Sequence, residues 1–264
     1  MHMTTTHYTL GAAPVTGAGL GISPTDLDTA LSGPVAAVVF DDAGNDKIAA
    51  LLGGVADTEF TQNNLDVLLK HEREPEDWRV GEALAECYLS ECRSCHFPWP
   101  DGRDERKRGS SLPGADLVGF HRDGEADHFA FGEVKTSAEQ SYPPGAAYGR
   151  HGLKQQMEDL RDRREIRDDL VKYLAHRAVN ATWKDRFQSA AGVYLRDPGD
   201  VRIFGLLVRD VPPNEDDLRA RVNGLAQYCP ASTVIELLAL YLPQGRIATL
   251  GVQVVTSRRN GGAR

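Results

Sequence analysis

Residues 112–135 constrain the chain more than any other stretch, because two apolar runs there flank a turn signal. Leu117 to Phe120 is the first run, Asp123-Gly124 the turn, and Phe129 to Val134 the second. The pattern predicts a β-hairpin. Side chains alternate across a strand, so Phe129, Phe131, Glu133 and Lys135 share one face. A fold about the bond between Gly124 and Glu125 sets Asp116 opposite Glu133, with Cβ atoms about 5 Å apart. Two carboxylates and a lysine then converge at one end of an apolar hairpin, where charges need a partner or an ion.

An Asp at the start of one strand, followed by Glu-x-Lys on the next, resembles the PD-(D/E)XK nuclease superfamily. The matching residues are Asp116 and Glu133-Val134-Lys135. The family pattern also has a Glu on a helix before the first strand, and Glu82 fits that place. A Gln on the helix after the Glu-x-Lys strand is matched by Gln155 or Gln156, while Pro113 stands three residues before Asp116 rather than beside it. The resemblance covers residues 78 to about 160, under a third of the chain. It implies an α/β, restriction-endonuclease-like fold, with a mixed central β-sheet flanked by helices.

The implied activity is metal-dependent hydrolysis of phosphodiester bonds in DNA. Asp116 and Glu133 would be carboxylate ligands of Mg²⁺ or Mn²⁺, with the Val134 carbonyl completing the edge. Glu82 would ligate directly or through water, and Lys135 would orient or deprotonate the attacking water. A hard divalent cation prefers such oxygen ligands. The segment from Leu112 to Phe120 is also similar to nuclease subunits of Hachiman-type bacterial anti-phage defence systems, which work beside a separate helicase. That implies DNA and a helicase or ATPase on another chain as partners, and the sequence has no P-loop of its own. A catalytically inactive nuclease-fold module, binding nucleic acid or protein without cutting, is the alternative.

A bare Glu-x-Lys is a weak signal. Glu105-Arg106-Lys107 spells it too, but lies in a charged stretch with no apolar strand around it. In that stretch Arg103, Arg106, Lys107 and Arg108 could touch phosphates near the cut. A net charge of −8 argues against a protein that coats nucleic acid by bulk electrostatics, without excluding a nuclease. Residues 150–186 carry ten Lys or Arg against seven Asp or Glu, enough to permit phosphate contacts.

Elsewhere the reading is of ordinary scaffold. Residues 1–33, rich in Thr, Gly, Pro and Ser, read as a loosely ordered lead-in, and Pro34 to Phe40 as a strand. Short helices are expected over 46–52 and 63–71, and a stronger one over 78–89 with Asp77 as N-cap. After the hairpin come a loop to Arg150, one long helix over 152–179, a short helix within 181–200, a strand over 201–208 and a helix over 213–227. Residues 233–242 and 247–255 read as a second hairpin, and 257–264 as a tail. The division is a lead-in and structural layer over 1–77 and a nuclease-like domain over 78–264, which 34–77 could join. Cys87, Cys92, Cys95 and His96 offer four potential zinc ligands, but their spacing is looser than a zinc finger's and adjacent Cys95 and His96 rarely face one ion. With no signal peptide, no run of roughly 20 apolar residues and only four cysteines, a cytoplasmic protein is expected.

Overall fold

A computed structural model describes residues 4–69, 74–98, 114–149 and 151–261. The described strands are β1 (Thr4–Ala12), β2 (Val15–Ile22), β3 (Cys95–His96), β4 (Leu117–Asp123), β5 (Ala126–Ser137), β6 (Arg202–Arg209) and β7 (Val234–Tyr241). They form one mixed sheet in the order β1-β2-β7-β6-β5-β4-β3. The neighbours β2, β7, β6 and β5 run parallel, while β1, β4 and β3 are antiparallel additions at the two sides. Parallel strands need helical crossovers, and those cover both faces. β6 is accordingly buried throughout.

One face is covered by α1 (Pro24–Ser32), α2 (Pro34–Val39), α5 (Asp77–Cys92) and α10 (Leu250–Gly261). Leu27, Val35, Val80, Leu84 and Val254 meet Val134, Leu206 and Leu238 there. The opposite face is covered by α6 (Leu153–Asp162), α7 (Arg164–Ala178), α8 (Lys184–Arg196) and α9 (Arg219–Ala226). On that side Met157, Leu174, Tyr194 and Val222 meet Phe129, Phe131, Ile203 and Leu237. Two further helices, α3 (Asp42–Gly53) and α4 (Glu59–Leu69), attach beside α2 and leave Leu51, Phe60 and Val67 exposed. Among the described residues no helix is long and apolar enough to cross a membrane.

Several elements differ from the sequence expectation. Residues 4–22 are the β1–β2 hairpin, paired with β7, and not a loose lead-in. Gly17, Gly19 and Gly21 alternate on one face of β2, where Val222, Tyr8 and His7 fill the space a side chain would take. Residues 34–39 are helical: Pro34 opens α2 at a position where its missing N–H costs nothing. The segment from Ile247 is a 3-10 turn running into α10, so no second hairpin forms. Asp77 does not cap α5; Glu76 holds that position, and the Asp77 carboxylate accepts the Gly251 N–H. The long helix is broken at Arg163, whose backbone is extended. Buried Arg167 donates to the Leu160 and Arg161 carbonyls that the break leaves open. The four basic residues at 103, 106, 107 and 108, Pro113 and the tail beyond Gly261 lie outside the described residues.

Candidate active site

The β4–β5 hairpin has the register expected, from Leu117 opposite Gly132 to Asp123 opposite Ala126. Its two-residue connection starts with Gly124 at φ 59°, a backbone region that favours glycine. Asp116 immediately precedes the first ladder pair, Leu117 opposite Gly132, and so stands at the level of Glu133. Asp116 Oδ2 accepts the Val134 N–H at 2.8 Å. In an extended strand the N–H and C=O of one residue point to the same side, so the Val134 carbonyl also faces Asp116. Lys135 Nζ donates to Glu133 Oε1 at 2.5 Å. Asp116, Glu133, Val134 and Lys135 are therefore brought together at one end of the hairpin.

Burial governs the electrostatics. The Glu133 side chain is 0% exposed and that of Lys135 22%. Burial, reinforced by the Asp116 charge, pushes the Glu133 carboxyl up to about 9 against the opposing pull of Lys135. The Glu133 carboxyl also shares a hydrogen bond with the Asp116 carboxylate, and among the described residues no donor meets its buried Oε2. Such an oxygen costs free energy unless something electropositive or a proton meets it.

A second buried oxygen without a partner is Gln156 Oε1 on α6. Gly205 of β6 pairs with Glu133 in the ladder, and a Cβ there would lie 2.9 Å from Met157 Sδ. The bare glycine thus lets α6 down onto the sheet beside Glu133, one residue from Gln156. Sequence reading passed over Gly205, though a glycine inside an apolar strand is a known mark of close approach. Gln155 is exposed and donates to Asp159.

Glu82 is not brought into this group. It is buried on α5, against the sheet face opposite the one Glu133 and Lys135 share, and Arg79 Nη1 donates to its Oε2 at 2.9 Å. Among the described residues no three His, Cys, Asp or Glu side chains gather into a metal-binding group. Nor do the cysteines and His96 gather into such a group among the described residues. Cys95 belongs to the core on the α5 side, while His96 stacks on Phe120 of the other core. Adjacent strand residues point to opposite faces, so the two do not share an ion. Burial pushes the Cys87 and Cys95 thiols up to about 12, away from the thiolate that zinc binds.

What remains is a set of two carboxylates and a main-chain carbonyl, with one buried carboxylate oxygen that no donor among the described residues meets. That set fits Mg²⁺ or Mn²⁺, because Mg²⁺ is commonly held by one or two carboxylates and keeps several waters. No family model and no curated protein matches the chain.

Proposed function

We propose that the chain is a metal-dependent nuclease of restriction-endonuclease-like fold that hydrolyses phosphodiester bonds of DNA. The observation that carries this reading is the Asp116, Glu133-Val134-Lys135 cluster, with a buried Glu133 oxygen that no donor among the described residues meets. Asp116, Glu133 and the Val134 carbonyl would hold Mg²⁺ or Mn²⁺. When bound, the cation would polarise the phosphate and acidify a water. The Val134 N–H fixes the Asp116 carboxylate, so little side-chain entropy is lost on loading. Glu133 would give up its proton on holding the cation, since ligating carboxylates are ionised. Lys135, partly exposed and held on Glu133, directs the attacking water and offsets charge gathering at the phosphate. Gln156, on the helix packed over Gly205, would fix that water or donate to a phosphate oxygen.

The similarity to Hachiman-type nuclease subunits extends the proposal to antiviral defence in a bacterial cytoplasm, beside a helicase on a separate chain. A second reading, a module that binds DNA or protein without cutting, is favoured by the position of Glu82 away from Asp116 and Glu133. Incubating circular and linear DNA with Mg²⁺, with and without chelator, separates the two. Chelator-sensitive loss of circles is expected, and D116A and K135A should each lower it by about 10²-fold or more with the fold intact. Full cleavage by both variants would remove the assignment.

A further inference from the structure

Arg221 of α9 is 7% exposed, and its Nε and Nη2 are buried without a hydrogen-bond partner. No ion pair engages it among the described residues, whereas its neighbour Arg219 is taken by Glu215 and Asp216. The guanidinium lies over the Tyr148 ring, 4.3 Å from its centroid, and Tyr148 itself is 48% exposed. An arginine buried without an anion is costly, and stacking on one ring recovers only part of that cost. Among the described residues this cation has no anion of its own.

The position of Arg221 links it to the site above. Its neighbour Val222 fills the notch over Gly17 of β2. Gly17, Leu237, Gly205 and Glu133 form one row across β2, β7, β6 and β5. Three strand spacings along that row put Gly17, which lies under α9, about 14 Å from Glu133, and α9 covers the face on which Glu133 lies. Between them lies α6, whose first residue follows Gly152. A Cβ on Gly152 would lie 2.0 Å from the Tyr148 carbonyl oxygen, so the Tyr148 loop is seated on the α6 N-terminus. The same helix carries Gln156.

We infer that Arg221, presented by Tyr148, binds a phosphate of the polynucleotide a few nucleotides from the bond placed at Asp116 and Glu133. The inference rests on the nuclease reading for the identity of the ligand. The planar guanidinium suits two phosphate oxygens at once, and the free face of Tyr148 suits a stacked base.

The test is binding of a fluorescent short DNA in Ca²⁺, followed by anisotropy, for the full chain and for R221M, R221K and Y148A. R221M should bind at least tenfold more weakly, with a salt dependence shallower by about one phosphate contact, and Y148A should fall between it and the parent. The free R221M protein should melt at the same or a higher temperature, because a buried lone charge has been removed. A purely structural arginine would instead lower it. Competition by inorganic phosphate against the parent, lost in R221M, identifies a general phosphate pocket; weaker DNA binding by R221M without such competition identifies the polynucleotide as the source. R221M binding within twofold of the parent overturns the inference. If R221M does not fold, parent-like binding by both R221K and Y148A overturns it. Cleavage in Mg²⁺ is scored separately: binding through Arg221 without cleavage removes the nuclease reading alone. Cleavage with an unaltered KM in R221M removes the Arg221 inference alone.

Discussion

Met157 of α6 sits against the bare Cα of Gly205, the residue that pairs with Glu133 across β5 and β6. The helix carrying Gln156 is therefore seated on the sheet at the rung of the buried carboxylate, and its depth is set by the absence of one side chain.

Replacing Gly205 by Ala tests that seating. The new Cβ would lie 2.5 Å from Leu237 Cδ2 and 2.9 Å from Met157 Sδ, so both side chains must shift within a packed core. Overpacking of this kind costs about 1–3 kcal/mol. A lower urea midpoint is expected for G205A, together with reduced DNA cleavage, because α6 is lifted from Glu133. An unchanged midpoint would mean that the contact is loose.

Glu133 makes stability depend on pH. Its carboxyl is raised from 4.5 to about 9 by burial, so the folded chain keeps a proton that the unfolded chain releases. The contribution is full below the unfolded value and is lost as pH rises through the folded one. In chelator, the melting temperature should fall progressively over this range, and E133Q should flatten the fall. Added Mg²⁺ should stabilise the parent more at high pH than at low pH, since loading displaces that proton. A parent and an E133Q variant with parallel pH profiles would refute the assignment.

Thiol chemistry gives an independent check on the cysteine cluster. Cys87 and Cys95 are buried, with thiols pushed up to about 12, while Cys92 and Cys229 are partly accessible. A disulfide reagent at neutral pH should label at most two thiols in the native chain and all four after denaturation. Rapid labelling of Cys95 in the native protein would contradict the burial described here.

The hairpin was readable because two signals agreed. Strand alternation through Phe129, Phe131, Glu133 and Lys135 fixed the face, and Asp123-Gly124 fixed the turn, which together determine the register. The errors fall where one signal serves two structures. Six apolar residues from Pro34 carry no periodicity that separates a buried strand from a short helix, and Val252 to Val255 suggested a strand where α10 packs Val254 into the core. The β2 strand was obscured by Gly17, Gly19 and Gly21, whose missing side chains are replaced by rings from β1 and by Val222. Glu82 was assigned by its order along the chain, and order does not say on which side of the sheet a helix lies. Arg221 left no mark in the sequence, because nothing local distinguishes an arginine that will be buried with no anion among the described residues.

Asp116, Glu133 and Lys135 hang from two adjacent strands joined by a two-residue turn, and their mutual spacing is peptide geometry more than the work of distant helices. The three groups can therefore travel through divergence as a unit. Lengthening a loop or exchanging α3 and α4 for another attachment leaves their arrangement alone. Inserting a single residue within β5, between the turn and Glu133, would turn the carboxylate and the ammonium to the other side of the sheet and dismantle the arrangement at one stroke.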